Sequence, residues 1–114
     1  EYTHSYIGTL TLHSGECVST SGDYERYYFF DGVRYHHIID PSDGRPADSG
    51  LIWVTVVCRD GALGDALSTA IAVAGEKKGR EWLDALSADH PEISAVFVEG
   101  DMKVSVYGRG FSAV

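Results

Sequence analysis

The sequence predicts an α+β fold, with a mostly antiparallel sheet and two helices packed on one of its faces. Strand-like segments come before and after a central pair of helix-like segments, an order typical of a sheet that helices cover on one side. The dipeptide Asp31-Gly32 separates two aromatic and β-branched segments, which is a strong signal for a two-residue hairpin of type I′. The chain has 114 residues, the size of a single domain.

The first half of the chain is predicted to contain only strands. Alternating or β-branched apolar residues and turn residues at the boundaries place them at residues 6–12, 17–20, 24–30, 33–39 and 51–58. The two-residue hairpin loop would pair Phe30 with Val33, and therefore Tyr27 with His36 and Arg26 with His37. Since side chains alternate along a strand, His36 and His37 would point to opposite faces.

Two helices are predicted at residues 63–74 and 76–87. Asp60 is the candidate cap of the first, Gly75 ends it, and Pro91 closes off the second. The first helix has apolar residues at helical spacing, which predicts a buried stripe of Leu63, Ala66, Leu67, Ala70, Ile71 and Ala74. The second would turn Trp82, Leu83 and Leu86 inward. A second hairpin is predicted from residues 93–98 and 102–107 around the turn Glu99-Gly100-Asp101.

Composition excludes some classes of partner. Nine Lys and Arg against seventeen Asp and Glu give a net charge of -8, which argues against electrostatic capture of nucleic acid or of an anionic membrane. No apolar run approaches the roughly 20 residues of a membrane-spanning helix. Cys17 and Cys58 lie in separate strand-like segments, so a single bridge is possible, although both are expected to be small buried apolar residues.

A polar strip on the first helix is the first candidate site. Asp65, Ser68 and Thr69 fall off the predicted buried stripe and together on another face. A carboxylate one turn before two hydroxyls can hold a hard cation. The alternative needs no ligand, because Asp is favoured early in a helix and Ser or Thr can bond back to a carbonyl one turn earlier. Spacing alone leaves both interpretations open.

Two further segments are rich in functional groups. Residues 19–26, STSGDYER, can expose hydroxyls and backbone amides to a phosphate or ribose, or form only a strand-ending turn. Residues 36–41, HHIIDP, place imidazoles just before a carboxylate, and His is a natural proton acceptor near neutral pH. The alternative for the two histidines is one in the core and one on the surface.

Taken together and in this order, three motifs resemble the ApbE-type FAD:protein FMN transferases. The motifs are TSGDYER at 20–26, YHHIIDP at 35–41 followed by Gly44, and DALST at 65–69. The likeness extends over nearly the whole chain. It implies that 1–114 is a single domain equivalent to the carboxy-terminal part of the family enzyme, with the amino-terminal part absent.

The resemblance implies a reaction as well as a fold. The family performs a Mg²⁺-dependent transfer of FMN from FAD to a Thr or Ser of an acceptor redox protein, with release of AMP. By resemblance, Asp65, Ser68 and Thr69 would hold the metal, and His37 would act as base, with His36 as the rival assignment. Glu25 would reach the adenosine end of FAD, and Ile39 would meet the flavin nucleotide.

Some expectations rest on the resemblance alone, and others stay open. Family members are commonly exported and anchored on the outer face of the bacterial cytoplasmic membrane, so membrane association would depend on an anchor in the absent amino-terminal part. Asp43 stands where the family usually has Thr, which puts one nucleotide or partner contact in question.

Two alternatives to flavin transfer remain open. One is FAD hydrolysis to FMN and AMP at the same metal, and the other is a non-catalytic module that binds flavin or another protein.

Overall fold

The computed structural model describes residues 8–22, 27–30, 33–36, 39–40, 45–46 and 50–113, with side chains described only at residues 8–22 and 50–112. These residues form two helices, α1 (Gly61–Ala74) and α2 (Glu76–Leu86), and ten strands. The strands are β1 (Gly8–Leu10), β2 (Cys17–Gly22), β3 (Tyr27–Phe30), β4 (Val33–His36), β5 (Ile39–Asp40), β6 (Arg45–Pro46), β7 (Leu51–Cys58), β8 (Ser94–Glu99), β9 (Val104–Tyr107) and β10 (Phe111–Ala113).

The main sheet has four antiparallel strands in the order β2-β7-β8-β9. Its central strand β7 is rich in Val, and its last five residues are all buried, as expected of a β-branched strand that is paired on both edges. Val54, Val56 and Cys58 alternate along β7 and belong to the core that α1 and α2 cover, together with Phe97 of β8. The predicted α+β fold, with two helices on one face of an antiparallel sheet, is confirmed.

The helix boundaries follow the predicted caps. The Asp60 side chain accepts a hydrogen bond from the Leu63 backbone N–H at 3.1 Å, so Asp60 is the N-cap of α1. Gly75 ends α1 with a φ of 99°, a left-handed conformation that glycine adopts without a Cβ penalty. Leu83 is fully buried, and Trp82 and Leu86 pack against the same core, as predicted.

The strand pairings confirm part of the predicted register and add pairings that the sequence did not predict, among them that of β5 with β6. Phe30 pairs with Val33 and Tyr27 with His36, whereas the predicted pair of Arg26 and His37 lies outside the described residues. The hairpin of β8 and β9 is also present. Strand β10, which the sequence did not predict, pairs with β1; its three residues are too few for alternation to be recognised.

The predicted buried stripe of α1 is partly wrong. The buried residues are Gly64, Leu67, Ser68, Ile71 and Ala72, whereas Ala66 and Ala74 are exposed. A Cβ on Gly64 would lie 3.6 Å from Cys58 Cβ and 3.8 Å from Ser19 Oγ, so the glycine lets the helix lie close to β2 and β7. Because the residues at this contact are small, α1 packs with Ser68, rather than Ala66 or Ala74, facing the sheet.

The cysteines also differ from expectation. Cys17 and Cys58 are direct partners across β2 and β7, and both are free thiols. Cys58 is buried as predicted, but Cys17 is exposed, because it lies on the edge strand of the sheet. Among the residues with described positions, no helix is long and apolar enough to cross a membrane.

Candidate functional site

Asp65 and Thr69 share an exposed side of α1. Both residues are exposed, and they are separated by four positions, so their side chains lie next to each other along the helix surface. They provide one carboxylate and one hydroxyl to the solvent. The structure therefore places these two predicted ligands as the sequence indicated.

Ser68 is predicted on the same face but lies elsewhere. Its side chain is fully buried between α1 and the sheet. Its hydroxyl donates to the backbone carbonyl of Asp65 at 3.0 Å and lies 2.8 Å from the hydroxyl of Ser21 on β2. The prediction that Ser68 lies off the buried stripe is wrong, and the metal role that the resemblance implies for Ser68 stays a prediction.

Ser21 links the helix to the sheet through a chain of hydroxyls. Its Oγ lies 2.8 Å from Ser68 Oγ and 2.9 Å from Thr69 Oγ1. A carbonyl oxygen can only accept, and a hydroxyl has one hydrogen to donate. When all three bonds are made, Ser68 therefore donates to the Asp65 carbonyl, Ser21 donates to Ser68, and Thr69 donates to Ser21. The lone pairs of Thr69 Oγ1 remain available on the exposed side.

The register of β2 on β7 places Ser21 in this chain. Ser21 is the partner of Val54, and the next position on the opposite face is Thr20, the partner of Thr55. Thr20 Oγ1 lies 2.8 Å from Thr55 Oγ1, which also accepts from the Trp53 indole N–H at 3.0 Å. These bonds fix β2 against β7 on the face away from α1, so that Ser21 points at the helix.

The other predicted site residues are not brought together by the described part of the structure. Glu25 and His37 lie outside the described residues, as does Asp43. Ile39 lies in β5, where its backbone is paired with that of Pro46, and its side chain is not described. Ser21 is the residue that sequence reasoning did not connect with the helix, since 47 positions separate it from Ser68.

The donor set on α1 fits a magnesium ion in its chemistry. Mg²⁺ prefers oxygen ligands, and in proteins it is usually held by one or two carboxylates, with phosphates and waters completing the shell. Asp65 supplies an anionic oxygen, and the hydroxyl chain leaves a neutral oxygen of Thr69 beside it. Ser68 has no exposed surface, and its hydroxyl is bonded to the Asp65 carbonyl and to Ser21, so Asp65 and Thr69 are the two residues that present open oxygens.

Fold and site together define an α+β domain whose first helix presents an exposed carboxylate and an exposed hydroxyl side by side. The sequence pattern of the ApbE family matches residues 1–97, and the chain belongs to that family. A relative in Klebsiella pneumoniae, named FAD:protein FMN transferase, is 44% identical over 92 residues, which are 81% of this chain and 28% of the relative. A relative of the same name in Treponema pallidum is 42% identical over 96 residues, 83% of this chain and 25% of its own length.

Solved structures show the same similarity. A crystal structure of the ApbE protein from Thermotoga maritima is 43% identical, with a TM-score of 0.58 over 77% of this chain and 28% of that one. The apo form of the flavinyl transferase ApbE from Pseudomonas stutzeri is 39% identical, with a TM-score of 0.56 over 88% of this chain and 28% of that one. The chain thus spans less than a third of the length of these relatives.

Proposed function

We propose that this chain is part of an FAD:protein FMN transferase, which moves FMN from FAD to a Thr or Ser of an acceptor redox protein and releases AMP. Family membership and the names of the relatives support flavin transfer. The observation that carries the proposal is the exposed Asp65 and Thr69 pair, with Thr69 oriented through Ser21. Its oxygen donors are those that a magnesium-dependent reaction of a pyrophosphate requires.

The residues of α1 have distinct roles in this proposal. Asp65 would hold Mg²⁺ through its carboxylate and Thr69 through its hydroxyl oxygen. Ser21 and Ser68 would fix the rotamer of Thr69, because both are tied into the hydroxyl chain that ends on the Asp65 carbonyl. A magnesium ion bound there supplies charge neutralisation for the FAD pyrophosphate and for the charge that develops on the phosphoryl oxygens.

The chemical step is assigned to residues by the family motif. His37 would take the proton of the acceptor hydroxyl as the hydroxyl oxygen forms a bond to the FMN phosphorus. The bond from that phosphorus to the AMP oxygen breaks, and AMP leaves with the electron pair. Glu25 and Ile39 would hold the adenosine end and the flavin nucleotide. Imidazole suits the proton transfer because its pKa lies near the working pH.

The mass of an acceptor protein tests the proposal directly. The protein is incubated with FAD, Mg²⁺ and a candidate acceptor redox protein, and the acceptor is weighed by mass spectrometry. We expect one added FMN, release of AMP, and no addition when EDTA removes the metal. An acceptor with its modified Thr or Ser replaced by Ala is the matched control. Release of FMN and AMP with an unmodified acceptor would indicate FAD hydrolysis instead, and no turnover would indicate a binding module.

A further inference from the structure

A second group of ligating side chains lies at the other end of the core, where β7 ends and α2 leads into β8. We propose that Cys58, His90 and Glu92 form a zinc-binding site that is separate from the oxygen donors around Asp65. The three residues come from two segments that are more than 30 positions apart. The inference does not depend on the proposed flavin chemistry.

The distances between the three ligating atoms suit a tetrahedral metal. Cys58 Sγ lies 3.8 Å from His90 Nδ1 and 3.6 Å from Glu92 Oε2, and His90 Nδ1 lies 3.8 Å from Glu92 Oε2. Ordinary zinc bonds to sulfur, nitrogen and oxygen at tetrahedral angles separate such atoms by about 3.4–3.6 Å. Movements of a few tenths of an ångström would therefore bring all three into the coordination shell.

The surroundings of the group resemble those of a built site. Cys58 is fully buried, while the side chains of His90 and Glu92 are 26% and 15% exposed, so one side remains open to a water ligand. Glu92 Oε2 accepts from the Arg59 backbone N–H at 2.9 Å, which orients the carboxylate in the way that outer partners orient metal ligands. The Arg59 guanidinium instead donates to the Ser14 carbonyl at 3.0 Å.

The ligand types favour zinc over magnesium. Thiolate and imidazole are ligands of zinc and other borderline or soft metals, whereas magnesium takes oxygen ligands. Burial raises the pKa of the Cys58 thiol, a backbone hydrogen bond with Asp60 opposes this, and the Glu92 carboxylate raises the pKa further. Without a metal, the group is a neutral thiol that donates to Glu92. Zinc would displace that thiol proton, as metal binding to cysteine generally does.

Titration with Co²⁺, as a spectroscopic substitute for Zn²⁺, tests the site in the reduced protein. We expect one equivalent of Co²⁺ to produce a thiolate-to-metal charge-transfer band together with the visible bands of tetrahedral cobalt, and Zn²⁺ to displace it. Excess Mg²⁺ should leave the bands unchanged. Absence of a thiolate band in the wild-type protein would overturn the proposal.

Cysteine variants identify the ligand. The band should disappear in Cys58→Ala and persist in Cys17→Ala, which removes the exposed thiol directly opposite on β2. A band that persists in Cys58→Ala would overturn the proposal. Since Cys58 lies in the core, far-ultraviolet circular dichroism would verify that the variant folds.

Two variants at partly exposed positions test the site without touching the core. His90→Gln and Glu92→Gln are each expected to weaken Zn²⁺ binding at least about tenfold, measured by competition with a chromophoric chelator. Wild-type affinity in either variant would refute the three-residue site. These measurements need neither FAD nor an acceptor, so their failure is distinguishable from failure of the proposed flavin transfer.

Discussion

The hydroxyl of Ser21 on β2 lies 2.8 Å from the hydroxyl of Ser68 on α1. This contact joins the edge strand of the main sheet to the helix that carries Asp65 and Thr69. Because Ser68 is fully buried, its hydroxyl needs a partner, and Ser21 and the Asp65 carbonyl supply both of its bonds. A buried contact between sheet and helix thus determines how the exposed pair is presented.

The first prediction concerns this contact. A double-mutant cycle of Ser21→Ala and Ser68→Ala should give a coupling energy of about 0.5–1.5 kcal/mol in urea unfolding, the usual contribution of one hydrogen bond. Ser21→Ala combined with Ser87→Ala, whose hydroxyl donates to Asp84 at the end of α2, should show almost no coupling. Equal coupling in the two cycles would contradict a specific bond between Ser21 and Ser68.

The second prediction concerns Asp65. Asp65→Asn keeps the size of the side chain but removes the anionic ligand, so Mg²⁺-dependent FMN transfer should fall by at least about 100-fold, more than changes in the groups around a metal usually cost. Stability should change by less than about 0.5 kcal/mol, because the residue is exposed. Asp89→Asn, at another exposed carboxylate, is the control. Undiminished activity in Asp65→Asn would rule out the metal assignment.

The third prediction concerns His37. A base acts in the transition state, so His37→Ala should slow FMN transfer by about 100-fold to 10,000-fold while weakening FAD binding much less. Transfer is measured from the acceptor mass, and FAD binding by flavin fluorescence. His36→Ala tests the rival assignment in parallel. If His37→Ala reduced transfer and FAD affinity by equal factors, the base role would be refuted.

The fourth prediction concerns the packing of the two helices. A Cβ on Gly79 of α2 would lie 2.7 Å from Cγ2 of Ile71, which is fully buried in the hydrophobic core. Gly79→Ala should therefore lower the free energy of unfolding by about 1–2 kcal/mol through overpacking. In an Ile71→Ala background the same change should be neutral or stabilising, because Ala exceeds Gly in helix propensity by about 0.8–1 kcal/mol. The measurement is urea unfolding, with Lys78→Ala on the exposed side as control.

The fifth prediction concerns pH. The Tyr107 hydroxyl donates to Asp84 Oδ1 at 2.7 Å, and this bond is the main cause of the raised pKa of Tyr107. The folded state therefore favours the neutral phenol. The contribution of this hydrogen bond to stability should be fully present below the unfolded pKa of about 10. It should be lost as the pH rises through the pKa that Tyr107 has in the folded state.

Comparison of the wild-type protein with Tyr107→Phe measures this effect. The variant should be less stable by at most about 1 kcal/mol at pH 8, and the difference should shrink above pH 10. Because Phe retains the aromatic ring that packs against the core, the difference reports the hydroxyl. A difference that grows with pH would contradict the assignment.

Local signals predicted the elements whose partners are close in sequence. The Asp31-Gly32 dipeptide predicted the hairpin and two of its pairs because a two-residue loop leaves one register. Asp60 and Gly75 predicted the ends of α1 because they satisfy terminal groups of the helix itself. Several boundaries differ from the prediction, and the clearest case is β9, which begins at Val104 rather than at residue 102. Met102 has a φ of 69° and donates its N–H to the Glu99 carbonyl in the turn.

By itself, the sequence determined the α+β fold, the family, and the exposed positions of Asp65 and Thr69. Only the tertiary structure decided that Ser68 is buried, that Ser21 joins it, and that Cys58 meets His90 and Glu92. The reason is physical. Ala, Gly and Ser make up eight of the 14 residues of α1, so hydrophobicity distinguishes its faces only weakly, and the close approach that Gly64 permits selects the buried one. Contacts across 47 or 34 positions depend on strand register and packing, which no local pattern contains.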